Sequence, residues 1–165
     1  MTAAHQPRIV AIGCGNRTAG DDAAGLAIVD GLRSAKPANA SVFEMADVGP
    51  GCLLEFGERD EIVVLIDAVK TGAPPGTIHC LSLPSQWIEP RNLGRMSTHA
   101  LGLEHEIALA ATYAKCPAPF LLGIEVGNHC RGTEMSASVG AAVHKVITRF
   151  GQYCDWVRTL AGVAI

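Results

Sequence analysis

Three residues in this sequence have side chains suited to hold a divalent cation through oxygen and nitrogen: Asp22, Asp67 and His99. Each stands where a different element should begin or end. Asp22 closes a glycine-rich turn, Gly13-Cys-Gly15-Asn16-Arg-Thr-Ala-Gly20-Asp21-Asp22, and opens a helix. One aspartate suffices as a helix cap, a role that falls to Asp21, so the second carboxylate is the informative one. Asp67 ends an apolar run, which brings its carboxylate to the C-terminal edge of a sheet, where open α/β folds bind ligands. A turn or capping role is its plainer alternative. His99 opens a later helix on the stripe of Leu103 and Ile107; taken alone, a packed or capping histidine is the plainer reading. Jointly, two carboxylates and an imidazole make an open ligand set for a first-row divalent ion such as nickel or zinc.

The first turn also says what does not bind. A dinucleotide fingerprint would place its third glycine at position 18, which is Thr18. A pyrophosphate docking at that helix N-terminus would also meet Asp21 and Asp22. No phosphate-binding G-x-x-x-x-G-K-[ST] loop is present either, so no nucleotide is expected. No serine stands in a G-x-S-x-G elbow. Cys14, near the turn, is a weaker candidate nucleophile. The pairs His79-Cys80 and His129-Cys130 read as incidental, and Glu104, His105 and Glu106 as a solvated helix face. Glu125 falls near a strand end at the same edge, as a supporting residue.

The elements that must carry these residues follow from periodicity. Short apolar runs at 8–14, 41–46, 61–69, 78–83 and 119–126 read as strands, the fourth at an edge. Helical spacing occupies 22–36, closed by Pro37, and 99–115, with Ser97 or Thr98 at the cap. One closing helix is expected from about 136 to 160, with a turn and one or two helical turns over 48–60 and a loop over 84–96. Alternation of strands and helices predicts a single three-layer α/β domain over residues 1–165. Its core is a mostly parallel twisted sheet of about five strands with helices on both faces.

Composition agrees with a globular chain: 165 residues, 48% hydrophobic and 18% charged. The net charge of -3 and the lack of any basic run argue against nucleic acid or an anionic membrane as partner. No apolar stretch nears the roughly 20 residues needed to span a bilayer, and the N-terminus lacks a secretion-signal layout. A soluble, cytoplasmic and monomeric protein is expected. The six cysteines are scattered singly, without a C-x-x-C pair, and read mostly as small buried apolar residues.

The ordered set Gly13-Cys-Gly15-Asn16 with Asp21-Asp22, Ile66-Asp67-Ala68, Ser97-Thr-His99-Ala-Leu-Gly-Leu103, and Gly123-Ile-Glu125 with Met135-Ser-Ala-Ser-Val139 resembles the nickel-iron hydrogenase maturation endopeptidases. The resemblance runs in order over about residues 8–148. It implies an endopeptidase that removes the C-terminal extension of a hydrogenase large-subunit precursor after nickel insertion. It also implies metal ligation by Asp22, Asp67 and His99, with the nickel supplied by the substrate. Asp22 and Asp67 are then the candidate catalytic residues. Either the metal polarises the scissile carbonyl or a bound water, or one aspartate acts as general base and the metal serves recognition. A non-catalytic nickel chaperone or sensor would use the same ligands. Where many members carry glycine directly after the acidic pair, this chain has Ala23-Ala24, which a helix tolerates better.

Overall fold

Why Asp22 and Asp67 share an edge is decided by the order of five strands. The computed structural model describes residues 6–48, 51–57, 61–83, 106–107, 109, 112, 119–127 and 130–162. Strands β1 (Ile9–Gly13), β2 (Ala40–Glu44), β3 (Ile62–Val69), β4 (Ile78–Ser82) and β5 (Phe120–Glu125) form one sheet in the order β2-β1-β3-β5-β4. All pairs are parallel except β4 with β5, which is antiparallel. The central strands are solid runs of Val, Ile and Leu because both their faces are covered. Every residue of β1, β3 and β5 is buried, whereas β2 and β4 at the edges are half-buried.

Alternation along each strand sends its residues to two separate cores. On one face Ile9, Ala11, Val64, Ile66 and Leu122 pack against helices α1 (Ala24–Ala35), α4 (Ala137–Thr148) and α5 (Phe150–Leu160). On the other, Val10, Ile12, Val63, Leu65 and Leu121 pack against α3 (Cys52–Gly57) and Ile107. A short helix, α2 (Met45–Val48), links β2 to this second face. This is the three-layer α/β architecture that the sequence predicts.

Four boundaries differ from expectation. The helix expected from residue 22 opens as a 3-10 turn over Gly20–Ala23 and becomes α-helical at Ala24. It ends where Lys36 turns left-handed at φ 49°, one residue before Pro37. Asp67 is not the last residue of its strand, since Ala68 and Val69 continue the pairing with β5. The closing helix is two helices, broken at Arg149, whose φ of -116° and ψ of 19° leave the helical region. The apolar stripe runs through that break unbroken, because Val146, Phe150, Cys154 and Val157 all join the same core. The expected loop over 84–96 and most of the expected helix over 99–115 lie outside the described residues, although Glu106, Ile107, Leu109 and Thr112 are helical. Among the described residues no helix is long and apolar enough to cross a membrane.

One contact fixes the first helix over the sheet. The Gly25 backbone rests on the carbonyl oxygens of Cys14 and Ile66, and a Cβ there would fall inside their van der Waals radii. Gly140, at the end of the first turn of α4, has nothing within 4 Å of the corresponding position. Gly25→Ala should therefore cost about 1–3 kcal/mol, through backbone shift rather than helix propensity. Gly140→Ala should instead gain up to about 1 kcal/mol. Urea unfolding midpoints of the two variants would show opposite signs.

Candidate active site

The edge holding the candidate residues is built by the end of β1. That strand stops at Gly13, which pairs with Ile66 of β3; the next backbone bond, from Cys14 N–H to the Ile66 carbonyl, is 2.8 Å. The chain then swings away through Gly15, whose φ of 148° and close approach to the Asp22 carbonyl exclude a side chain. Asp67 is thus the first residue of β3 beyond the end of β1. On its other side it pairs with Gly123 of β5. Connections leave β1 toward β2 and β3 toward β5, so this is the point where the strand order reverses, the position at which open α/β sheets bind ligands.

Both aspartates expected at this edge are there. Asp22 is 5% exposed and Asp67 is fully buried. The 3-10 turn carrying Asp22 lies against β3, and within the loop Asn16 N–H bonds to the Asp22 carbonyl at 3.2 Å. The Asp67 carboxylate accepts the Ala68 N–H at 2.8 Å. By strand alternation Asp67 shares the face of Leu65 and Val69, the one covered by α3 and Ile107. His99, expected as the third ligand, lies outside the described residues. Among the described residues no three His, Cys, Asp or Glu side chains form a group that could hold a metal ion.

Several neighbours have roles that differ from expectation. Asp21 does not cap its own helix: it sits inside the 3-10 turn, with Ala19 at the N-cap. Fully buried, it accepts the Ser136 N–H at 2.7 Å and the Gly127 N–H at 3.1 Å. Ser136 is the N-cap residue of α4, so this carboxylate serves the positive end of a helix far along the chain. Glu106 is not on a solvated face. It is 8% exposed and accepts the Gly51 N–H at 2.7 Å, with the Cys52 thiol at 3.6 Å. Burial, with Glu106 beside it, pushes that thiol up to about 12. Cys14 is buried, and burial together with the charge of Asp67 raises its thiol far above the usual range. A thiolate nucleophile there is disfavoured.

A sequence model of the hydrogenase maturation protease family, under the name HycI, matches residues 29–151. The chain belongs to the hydrogenase maturation protease family. It is 31% identical over 120 residues to the hydrogenase expression/formation protein HupD of Thiocapsa roseopersicina, covering 70% of this chain and 52% of that protein. The HupD of Rhodobacter capsulatus is 30% identical over 126 residues, covering 74% of this chain and 58% of that one. The chain thus spans about half the length of the curated relatives it matches. Among solved structures, an endopeptidase from Escherichia coli superposes with a TM-score of 0.71 at 21% identity, covering 94% of each chain. The NiFe hydrogenase maturation protease HybD from Thermococcus kodakarensis gives 0.63 at 22%, covering 89% of this chain and 99% of that one. At such identities the likeness establishes the fold.

In this member of the family, the rim beyond Asp67 is tied down by Glu125, whose partners are residues of the β3–β4 turn and of β4. Its carboxylate, 1% exposed, accepts N–H groups from Thr71 at 2.8 Å and Gly72 at 2.9 Å, and the Thr71 hydroxyl at 2.8 Å. It also receives His79 Nε2 at 3.0 Å, so His79 is not incidental. Burial opposes ionisation of Glu125, yet the donors of Thr71, Gly72 and His79 outweigh it and hold the carboxyl below its ordinary 4.5. A lowered folded value makes this stabilisation complete above about 4.5 and lost as pH falls through the folded value. Glu125→Gln should cost about 1.5–3 kcal/mol at neutral pH. The deficit against the native chain should shrink on acidification below about 4.5, because protonated glutamic acid and glutamine then bond alike. Unfolding midpoints measured across that range would show the convergence.

Proposed function

We propose that this chain is the endopeptidase that removes the C-terminal extension from a NiFe hydrogenase large-subunit precursor once nickel is in place. The observation that carries the reading is the pair Asp22 and Asp67, both withdrawn from water on adjoining elements at the reversal point of the sheet, in a chain of this family. Two buried carboxylates on adjoining elements are suited to share a divalent cation.

His99 completes the proposed ligand set. The sequence stripe that His99 opens includes Ile107, which is buried on the same face of the sheet as Asp67. An imidazole and two carboxylates would recognise nickel held by the precursor, placing the scissile bond against the aspartates. Either aspartate could then take a proton from the attacking water as general base. Coupling cleavage to the substrate's own metal makes processing conditional on correct loading, a gain in specificity from binding geometry.

Incubating the protein with nickel-loaded and nickel-free precursor, and following the large subunit by mass, tests the reading directly. The loaded precursor should lose its C-terminal peptide and the unloaded one should stay intact. Asp22→Ala, Asp67→Ala and His99→Ala should each slow processing by about 10²–10⁴-fold, with circular dichroism unchanged. Equal cleavage of both precursors would remove the nickel-reading step. Nickel binding without any change in precursor mass would make the protein a carrier or sensor instead.

A further inference from the structure

Asp21 is as deeply buried as Asp67 and is the immediate neighbour of Asp22, yet its carboxylate is turned to a different task. Oδ1 accepts the Ser136 N–H at 2.7 Å and Oδ2 accepts the Gly127 N–H at 3.1 Å. These donors lie 115 and 106 residues further along the chain, at the two ends of the connection between β5 and α4. The same connection meets the first turn again, where Gly132 N–H donates to the Thr18 carbonyl at 2.7 Å.

The geometry of the turn relates this clamp to Asp22. In a 3-10 turn successive side chains leave about 120° apart. Fixing the direction of Asp21 therefore fixes the rotation of the turn and the direction in which Asp22 departs. Bonds within the loop hold the Asp22 backbone, Asn16 N–H to its carbonyl and its N–H to the Ala19 carbonyl at 3.1 Å. Both of these bonds lie within the loop. Asp21 anchors that loop to the end of β5, the strand that flanks Asp67.

We propose that Asp21 is a positioning residue: a two-oxygen clamp between the first turn and the β5–α4 connection that sets where Asp22 stands relative to Asp67. A carboxylate is required, because both of its oxygens accept. An amide of the same shape would turn an NH2 toward one of the two backbone donors. The inference rests on the functional reading above only for its kinetic consequence.

Two variants attack the clamp from opposite ends. Asp21→Asn keeps the volume and loses one acceptor. Ser136→Pro removes one donor without touching Asp21, and the Ser136 φ of -66° suits proline. With nickel-loaded precursor, Asp21→Asn should lower kcat about 10- to 100-fold, with KM within about twofold. Ser136→Pro should lower kcat by less and add little in the double variant, as expected of two groups in one interaction. Val143→Ala in α4, a core truncation away from the edge, should reduce stability and leave kcat unchanged.

Amide exchange at Gly127 and Ser136, and the carboxyl carbon resonances of Asp22 and Asp67, give a readout independent of turnover. In Asp21→Asn both amides should exchange faster and the Asp22 resonance should move. Native kcat in Asp21→Asn, unmoved Asp22 and amide signals, or a kcat loss matched by Val143→Ala would each overturn the clamp. If the native protein leaves the precursor intact, the functional reading falls, and the resonances and exchange rates still decide the role of Asp21.

Discussion

The site depends on backbone packing directly against backbone. Helix α1 reaches the carboxyl ends of β1 and β3 because Gly25 and Gly13 present no side chains between them. Any larger residue at Gly25 would lift the helix from the Ile66 carbonyl and carry the preceding turn, with Asp21 and Asp22, away from Asp67. The contact is also why the chain can turn so sharply after β1. Cys14 N–H still bonds to β3, and Gly15 then lets the backbone pass close to the Asp22 carbonyl. Two acidic residues are delivered to one edge by a contact that contains no functional group.

Around that edge three connections meet, and buried carboxylates outside the candidate ligand set hold them. Asp21 joins the β1–α1 turn to the β5–α4 connection. Glu125 joins the end of β5 to the start of the β3–β4 turn through Thr71 and Gly72, and to β4 through His79. The two systems adjoin, since Pro75 of the β3–β4 turn approaches Gly127, the residue that donates to Asp21. A carboxylate is well suited to such work. It accepts several backbone N–H groups at once and so satisfies donors that loops leave unpaired away from water.

Much of this architecture is legible in the sequence, for a physical reason. Strands β1, β3 and β5 are covered on both faces, so their residues are nearly all apolar and stand out from the polar turns around them. Asp67 could be placed because a single charge inside such a run must lie near its end. What could not be read depends on partners distant in the chain. Asp21 looks like a cap for the helix it precedes, and only folding brings Ser136 and Gly127 to it. Glu106 and His79 look solvated or incidental, because Gly51, Cys52 and Glu125, which bury or bind them, are dozens of residues away. The break at Arg149 is invisible for the opposite reason. Both helices bury residues in one core, so hydrophobic periodicity does not register the break.

The cost of this construction bears on what it is for. Burying carboxylates exacts desolvation that an apolar core would not, and well-packed hydrophobic substitutes for buried ionic groups are often no less stable. Three of the buried acids, Asp21, Asp67 and Glu125, cluster at the carboxyl end of one sheet, and Asp22 joins them. An arrangement that served stability alone would place apolar residues there, as the chain does along the rest of β3 and β5. Fixed direction is what the acids supply instead. Hydrogen bonds from Ser136, Gly127, Thr71 and Gly72 constrain orientation in a way that dispersion contacts do not. Two carboxylates that must point in set directions need that constraint more than they need the free energy given up for it.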